Sequence, residues 1–241
     1  MEGTINIKVG PFNVSAFSSV MAAARYLIPN NNEMHYGCII AINAEKVSSC
    51  TPDVSDHIQL LKEHALFYPD GYPIAWLMRR RGIDCARIPG VELWLAILDR
   101  ITDDHRTVYL LGASPDVSDF VSSSLRRRLG CYRVTSRHGH DLDELSVIKD
   151  VEAHRPDIMF VALGSPKQEI LMSRIMEIHP KCLYMGVGGS FDIFAGKSKR
   201  APAWMQFVGL EWLFRLAQNP SRFRRYLALF RFAWLVIIGR V

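Results

Sequence analysis

The feature that most constrains this chain is an alternation of short apolar runs with helical patterns. Gly37-Cys38-Ile39-Ile40-Ala41-Ile42-Asn43 is one run, and Thr51-Pro52-Asp53 then opens a helix-like stretch to about Leu66. Thr107-Val108-Tyr109-Leu110-Leu111 is a second, ending in Gly112-Ala113-Ser114-Pro115. Asp157 to Leu163 is a third, ending in Gly164-Ser165-Pro166, and Cys182 to Val187 a fourth, ending in Gly188-Gly189-Ser190. Runs of this length between helices predict βαβ units and a parallel sheet covered on both faces. Such sheets bind ligands outside the carboxyl ends of their strands. All four runs end there in Asn, Gly or Ser, residues that let backbone N–H groups approach an anion.

With 241 residues and 49% hydrophobic content, the chain can bury a full core, which excludes a disordered or collagen-like protein. Charge is unevenly spread. From Gly196 to Val241 there are nine Lys/Arg and one acid, Glu211, a net +8, while the preceding residues carry a net −3. A basic, Trp-rich tail on a near-neutral body predicts an anionic partner at that end. No apolar run approaches the roughly 18 residues that cross a membrane. Met1-Glu2-Gly3 lacks the features of a signal peptide. Five scattered cysteines with no C-x-x-C pair read as buried, reduced thiols.

The motifs each admit two readings. Ser165 suits an N-cap, Pro166 the first helical position, and Gln168 a capping box. The same N-terminus, at a strand's carboxyl end, suits a phosphate or a polar sugar. Gly186 to Asp192 is glycine-rich after a strand, yet G-x-G-x-x-G fails at Phe191, and no P-loop occurs. Tyr68-Pro69-Asp70-Gly71-Tyr72-Pro73 is either an Asp-Gly turn or a carboxylate fixed as a general base. Arg87 is either a surface residue or an anion clamp. His138-Gly139-His140-Asp141-Leu142-Asp143 holds a D-x-D, but polar residues precede it, so Asp141 or Asp143 is expected to cap a helix rather than bind metal. No H-E-x-x-H or G-x-S-x-G occurs.

Helical patterning resumes after Ala201-Pro202. Phe223, Tyr226, Leu227, Phe230, Trp234 and Ile237 then fall on one stripe at about 100° per residue, with Arg222, Arg224, Arg225 and Arg231 off it. This is the pattern of a basic amphipathic helix, docked either on the body or on a membrane surface.

Taken in order, Ala41 to Lys46, Pro69-Asp70-Gly71, Arg87-x-x-Gly90, Gly164 to Glu169, Met185 to Asp192, Lys199 to Pro202 and Gly209 to Arg215 resemble the WecG/TagA/CpsF family of bacterial glycosyltransferases. The resemblance runs from about Pro11 to Arg231, and Met185 to Arg225 is closest to the WecG branch. Ala41 stands where teichoic-acid members carry Thr. Gly139-His140 stands where many members have Gly followed by an aromatic.

The resemblance implies a Rossmann-like α/β catalytic domain over residues 1–200 and a helical appendage over 201–241. It implies an enzyme peripheral on the inner face of the cytoplasmic membrane; no metal is expected to be needed, because Asp141 and Asp143 sit in a polar context and the tail arginines can neutralise a diphosphate. The donor would be a UDP-sugar carrying N-acetylmannosaminuronic acid or N-acetylmannosamine. The acceptor would be GlcNAc on undecaprenyl diphosphate, in bacterial surface polysaccharide synthesis. Asp70 matches the family's proposed general base, and Asn43, Arg87 and Gln168 match polar residues near the substrate. Arg215, Arg222 and Arg225 match arginines poised for the diphosphate. Gly112, Ser165, Gly188 and Gly189, at the strand ends, are further candidates for nucleotide contact. Two alternatives remain: a UDP-glucose-dependent exopolysaccharide glucosyltransferase of the same family, and a non-catalytic nucleotide- or anionic-membrane-binding module. Nucleic-acid binding fits the charge but leaves the strand-end motifs idle. Oligomeric state is not legible.

Overall fold

The computed structural model describes residues 5–29, 33–48, 65–103, 105–207, 211–218 and 223–241. Its strands are β1 (Asn6–Val9), β2 (Phe12–Ser15), β3 (Gly37–Ile42), β4 (Ala65–Pro69), β5 (Val108–Gly112), β6 (Val134–Arg137), β7 (Ile158–Ala162) and β8 (Leu183–Gly186). They form one sheet in the order β1-β2-β4-β3-β8-β7-β5-β6. Only the β1–β2 pair is antiparallel; the other pairings are parallel. The expected Rossmann-like α/β architecture is therefore present, and the four apolar runs read from sequence are β3, β5, β7 and β8.

Side-chain alternation assigns the helices to two layers. Ile39, Leu66, Tyr68, Leu110, Phe160 and Met185 point to one face. That face is covered by α1 (Val20–Leu27), α4 (Gly90–Arg100), α5 (Pro115–Leu129) and α8 (Ser190–Phe194). Cys38, Ile40, Phe67, Tyr109, Val161 and Tyr184 point to the other. There lie α2 (Ala44–Ser48), α3 (Tyr72–Arg80), α6 (Glu144–His154) and α7 (Lys167–Ile178). Trp94 sits at the centre of the first layer, fully buried, with its ring 5.2 Å from Phe191 and 6.1 Å from Phe160. After α8 come α9 (Ala203–Phe207), α10 (Glu211–Gln218) and α11 (Phe223–Ile237). No described helix is long and apolar enough to cross a membrane.

A sequence expectation changes here and an open reading narrows. Ala65 and Leu66, expected at the end of a helix, begin β4, which pairs along its length with β3; residues 51–64 of that expected helix lie outside the described residues. The tail stripe, left open from sequence between the body and a membrane surface, is largely exposed. Leu227, Phe230, Trp234 and Ile237 are all at least half exposed, whereas Ala228 and Phe232, on the opposite side of α11, are buried. Small Ala228 lets α11 lie close to α2, and its carbonyl accepts from the Ser48 hydroxyl at 2.9 Å. Phe223 and Tyr226 lie on α11, but their side chains are outside the described residues. Cys38, Cys85 and Cys182 are buried free thiols, as expected, and burial pushes Cys38 up to about 12; Cys131, also expected to be buried, is an exposed free thiol because it opens the turn after α5, and Cys50 lies outside the described residues.

Candidate active site

The carboxyl ends of β3, β4, β7 and β8 open into a cleft of about 1910 Å³. Its lining includes Asn43, Asp70, Arg87, Ser165, Gln168, Gly188 and Gly189. The fold thus brings together seven candidates that are scattered over about 150 residues of chain. Gly112 is placed elsewhere. Its φ is +114°, and a Cβ there would lie 2.5 Å from the Ala162 carbonyl oxygen, so glycine is what lets β5 and β7 end in contact. Arg222, and the side chains of Arg215 and Arg225, lie outside the described residues.

Asp70 is held by four tethers. Its N–H donates to the Ile42 carbonyl at 3.0 Å, extending the β3–β4 ladder by one rung. Its own carbonyl accepts from Arg87 Nε at 2.9 Å. Its Oδ1 accepts from the Gly90 N–H at 2.8 Å, the first residue of α4. A helix N-terminus has unsatisfied N–H groups, and a carboxylate is a favoured partner for them. The fourth tether acts at a distance: Arg87 Nη2 pairs with Glu211, the tail's single acid. Oδ2 has no partner among the described residues. The Tyr68 hydroxyl is buried nearby without a hydrogen-bond partner, and burial pushes its pKa well above the usual phenol value, so it stays protonated.

Asn43 follows β3 directly, and its Oδ1 accepts from Lys46 N–H at 2.9 Å, capping α2. That leaves its amide N–H groups without an acceptor among the described residues, at the cleft wall. A Cβ on Gly71 would lie 3.4 Å from Asn43 Cβ, so the β3 and β4 loops touch here.

The opposite wall is the N-terminus of α7. The expected capping box does not form. Pro166 occupies the cap position and supplies no side-chain bond, so the helix begins at Lys167 rather than at Pro166. The Gln168 carboxamide is committed elsewhere: its Oε1 accepts from Gly188 N–H at 3.2 Å and its Nε2 donates to Glu169 Oε1 at 3.1 Å. Gly186 makes room for it, because a Cβ there would lie 2.4 Å from Gln168 Nε2. Glu169 Oε1 also pairs with Lys46 Nζ at 2.7 Å, with side chains only 3% and 10% exposed. Burial alone would raise the Glu169 pKa, but Lys46 and the Gln168 hydrogen bond outweigh it and hold the carboxyl below its ordinary value. A continuous polar chain therefore runs from α2 through α7 to the β8 loop.

Sequence reasoning assigned no role to four members of this arrangement, Gly90, Lys46, Glu169 and Glu211. Gly90 anchors Asp70; its place just after Pro89, at a helix start, was the available signal. Lys46 with Glu169, and Arg87 with Glu211, are partners about 120 residues apart, and no local pattern links them. The D-x-D behaves as expected in one respect. Asp143 caps α6 by accepting from Leu145 and Ser146 N–H, and the Ser146 hydroxyl holds its pKa low. Among the described residues no group of three or more His, Cys, Asp or Glu is placed to hold a metal ion.

A tethered carboxylate, amide donors and a helix N-terminus around one cleft suit transfer of a sugar from an anionic carrier. Over residues 6–241 the chain matches the model of the glycosyl transferase WecG/TagA/CpsF family, and it belongs to that family of glycosyltransferases.

Proposed function

We propose that the protein is an inverting transferase. It would move N-acetylmannosaminuronic acid or N-acetylmannosamine from UDP to GlcNAc carried on undecaprenyl diphosphate. Asp70 accepts the proton of the acceptor hydroxyl, that oxygen forms its bond to the sugar's C1, and the C1–O bond to UDP breaks. One displacement needs one base, and general-base catalysis is worth about 10²–10⁴-fold. The departing UDP gains negative charge, which positioned cations stabilise. The N-terminus of α7, Lys199, Arg200 and the tail arginines Arg215, Arg222 and Arg225 are suited to it, without a divalent cation. The sugar and the lipid-linked acceptor rest on the resemblance of Met185 to Arg225 to the WecG branch. An acceptor anchored in a bilayer requires the enzyme to visit the inner face of the membrane, which suits the tail's basic amphipathic helix.

The observation that carries this reading is the anchoring of Asp70: backbone and Oδ1 are tethered while Oδ2 is not. Incubating the protein with a panel of UDP-sugars and a water-soluble GlcNAc-diphosphate acceptor tests it. The reading expects turnover with a mannosamine-type donor and an inverted anomeric centre in the product. Turnover with UDP-glucose alone would move it to the exopolysaccharide branch, and binding without turnover of any donor would leave a nucleotide-binding module.

A further inference from the structure

We propose that the protein meets an anionic lipid bilayer through two lips of the cleft at once, α3 and α11, so that the cleft opens at the membrane surface. This rests on the reading that the acceptor is lipid-linked. The tail helix is one lip. The other is a face of α3 that the established family chemistry leaves without a task.

On α3, Tyr72 and Trp76 are each 40% exposed. They stand four residues apart, and Arg79 and Arg80 fall on the same stripe, about 100° wide. Ile74, Ala75, Leu77 and Met78 form the opposite, buried face, so packing against the sheet fixes which side looks outward. The Arg79 guanidinium lies 5.7 Å from the Tyr72 ring centre and that of Arg80 5.4 Å from the Trp76 ring centre. Aromatic rings with an arginine over each are built to sit where apolar and aqueous phases meet. Arg81 follows, with one guanidinium nitrogen on the Lys8 carbonyl, and Asp84 is the one acid between Tyr72 and Asp84.

On α11, Phe230, Trp234 and Ile237 are 70%, 61% and 76% exposed. Arg231 and Arg240 are exposed beside them, and no acid occurs from Phe223 to Val241. Tyr72, Trp76 and Arg80 from one lip and Phe230 and Ile237 from the other line the same cleft. Two exposed apolar edges flanking one opening, each with arginines and hardly any acid, fit a flat surface that is apolar inside and negative outside. A nucleic acid would occupy the arginines but leave Phe230 and Ile237 in water.

Co-sedimentation with vesicles of equimolar phosphatidylglycerol and phosphatidylcholine, against phosphatidylcholine alone, tests this on the full chain. The wild type should bind the anionic vesicles and bind the neutral ones at least tenfold more weakly. Trp76→Ser with Arg80→Gln, and separately Phe230→Ser with Trp234→Ser, should each weaken anionic binding by about tenfold or more, since one arginine alone is worth about fivefold. Unchanged thermal midpoints keep the comparison to the surface, and the exposed single change Arg79→Glu, which gives up only the contact over Tyr72 and the bond to the Ala75 carbonyl, offers a second arm expected to weaken anionic binding about fivefold or more. If both α3 variants bind like wild type while the α11 pair loses binding, the second lip is wrong and the tail is the anchor. If the wild type itself ignores anionic vesicles, the membrane reading falls as well. Equal affinity for neutral vesicles overturns the choice of an anionic surface.

Discussion

The two sides of the cleft are built on different principles. The body side consists of strand-end loops locked by half-buried and buried polar contacts: Asp70 on Ile42, Gly90 and Arg87, and Gln168 on Gly188 and Glu169. Few of these groups can move without leaving another unsatisfied, which is costly inside a protein. The tail side consists of helices, of which α11 packs Ala228 and Phe232 onto the body beside α2 and adds the Ser48 bond to the Ala228 carbonyl, and α10 adds the Arg87–Glu211 pair, while much of α11's apolar surface stays in solvent. A hydrogen-bonded side fixes the reacting groups, and a basic side with exposed apolar surface is suited to receive and release the charged, lipid-borne ligand proposed above.

That contrast can be broken from either end. The largest effect is expected on the body side. Glu169→Gln leaves the Lys46 ammonium buried without its counter-charge, and losing one partner of a buried pair typically costs about 3–5 kcal/mol. The thermal midpoint should fall by about 10 °C. The pH dependence should change with it. The Glu169 carboxyl is held below its ordinary value of 4.5 in the folded state. Its stabilisation is therefore complete above that value and is lost as pH falls through the lower, folded value. Thermal melts from neutral to acidic pH should show that loss in the wild type and a shallower slope in Glu169→Gln.

Gly186→Ala should come next, at about 1–3 kcal/mol, because the added methyl displaces the buried Gln168 carboxamide. Donor KM should rise with it, since the Gly188 loop loses its strap. Equal KM values in wild type and variant would detach that strap from the donor site.

On the tail side, Glu211→Ala should lower the thermal midpoint by less than Glu169→Gln, because its partner Arg87 is more exposed than Lys46 and keeps its bond to the Asp70 carbonyl, yet lower kcat about tenfold. Arg87 would lose the partner that aims it at the Asp70 carbonyl, and small displacements of a reacting group are expensive in rate. A stability loss as large as that of Glu169→Gln would mean that the two sides are equally structural. The smallest effect is expected from EDTA, which should leave turnover within about twofold. Asp143 is committed to capping α6, and the positive charge for the diphosphate is assigned to arginines. Activity abolished by EDTA and restored by Mn²⁺ would return the D-x-D to the mechanism.

The sequence made the strands of the sheet's middle legible because burial on both faces turns them into continuous apolar runs, as in Ile158–Ala162. β1, β2 and β6 are short and half polar, and β4 hid behind a preceding helical pattern. Among the proposed site residues, Asp70 stood out by its place between Pro69 and Gly71, whereas Asn43 and Gln168 were picked out by the resemblance to the family, and the fold places all three on one cleft. Their supports were not legible, because Lys46, Glu169 and Glu211 look like any solvated charge until the fold closes distances of more than a hundred residues. The facing of the α11 stripe was also unreadable. Both of its sides are largely apolar, and only Ala228 and Phe232 meeting the α2 layer decide which side packs.

The central claim is that Asp70 is the base, held by the body side and independent of donor binding. Asp70→Asn, measured in parallel for UDP-sugar affinity and for turnover of a soluble acceptor, tests it most directly. The account predicts affinity within a few-fold of wild type and kcat lower by about 10²–10⁴. Near-normal turnover in that variant, or a loss of donor affinity large enough to explain the whole defect, would contradict it.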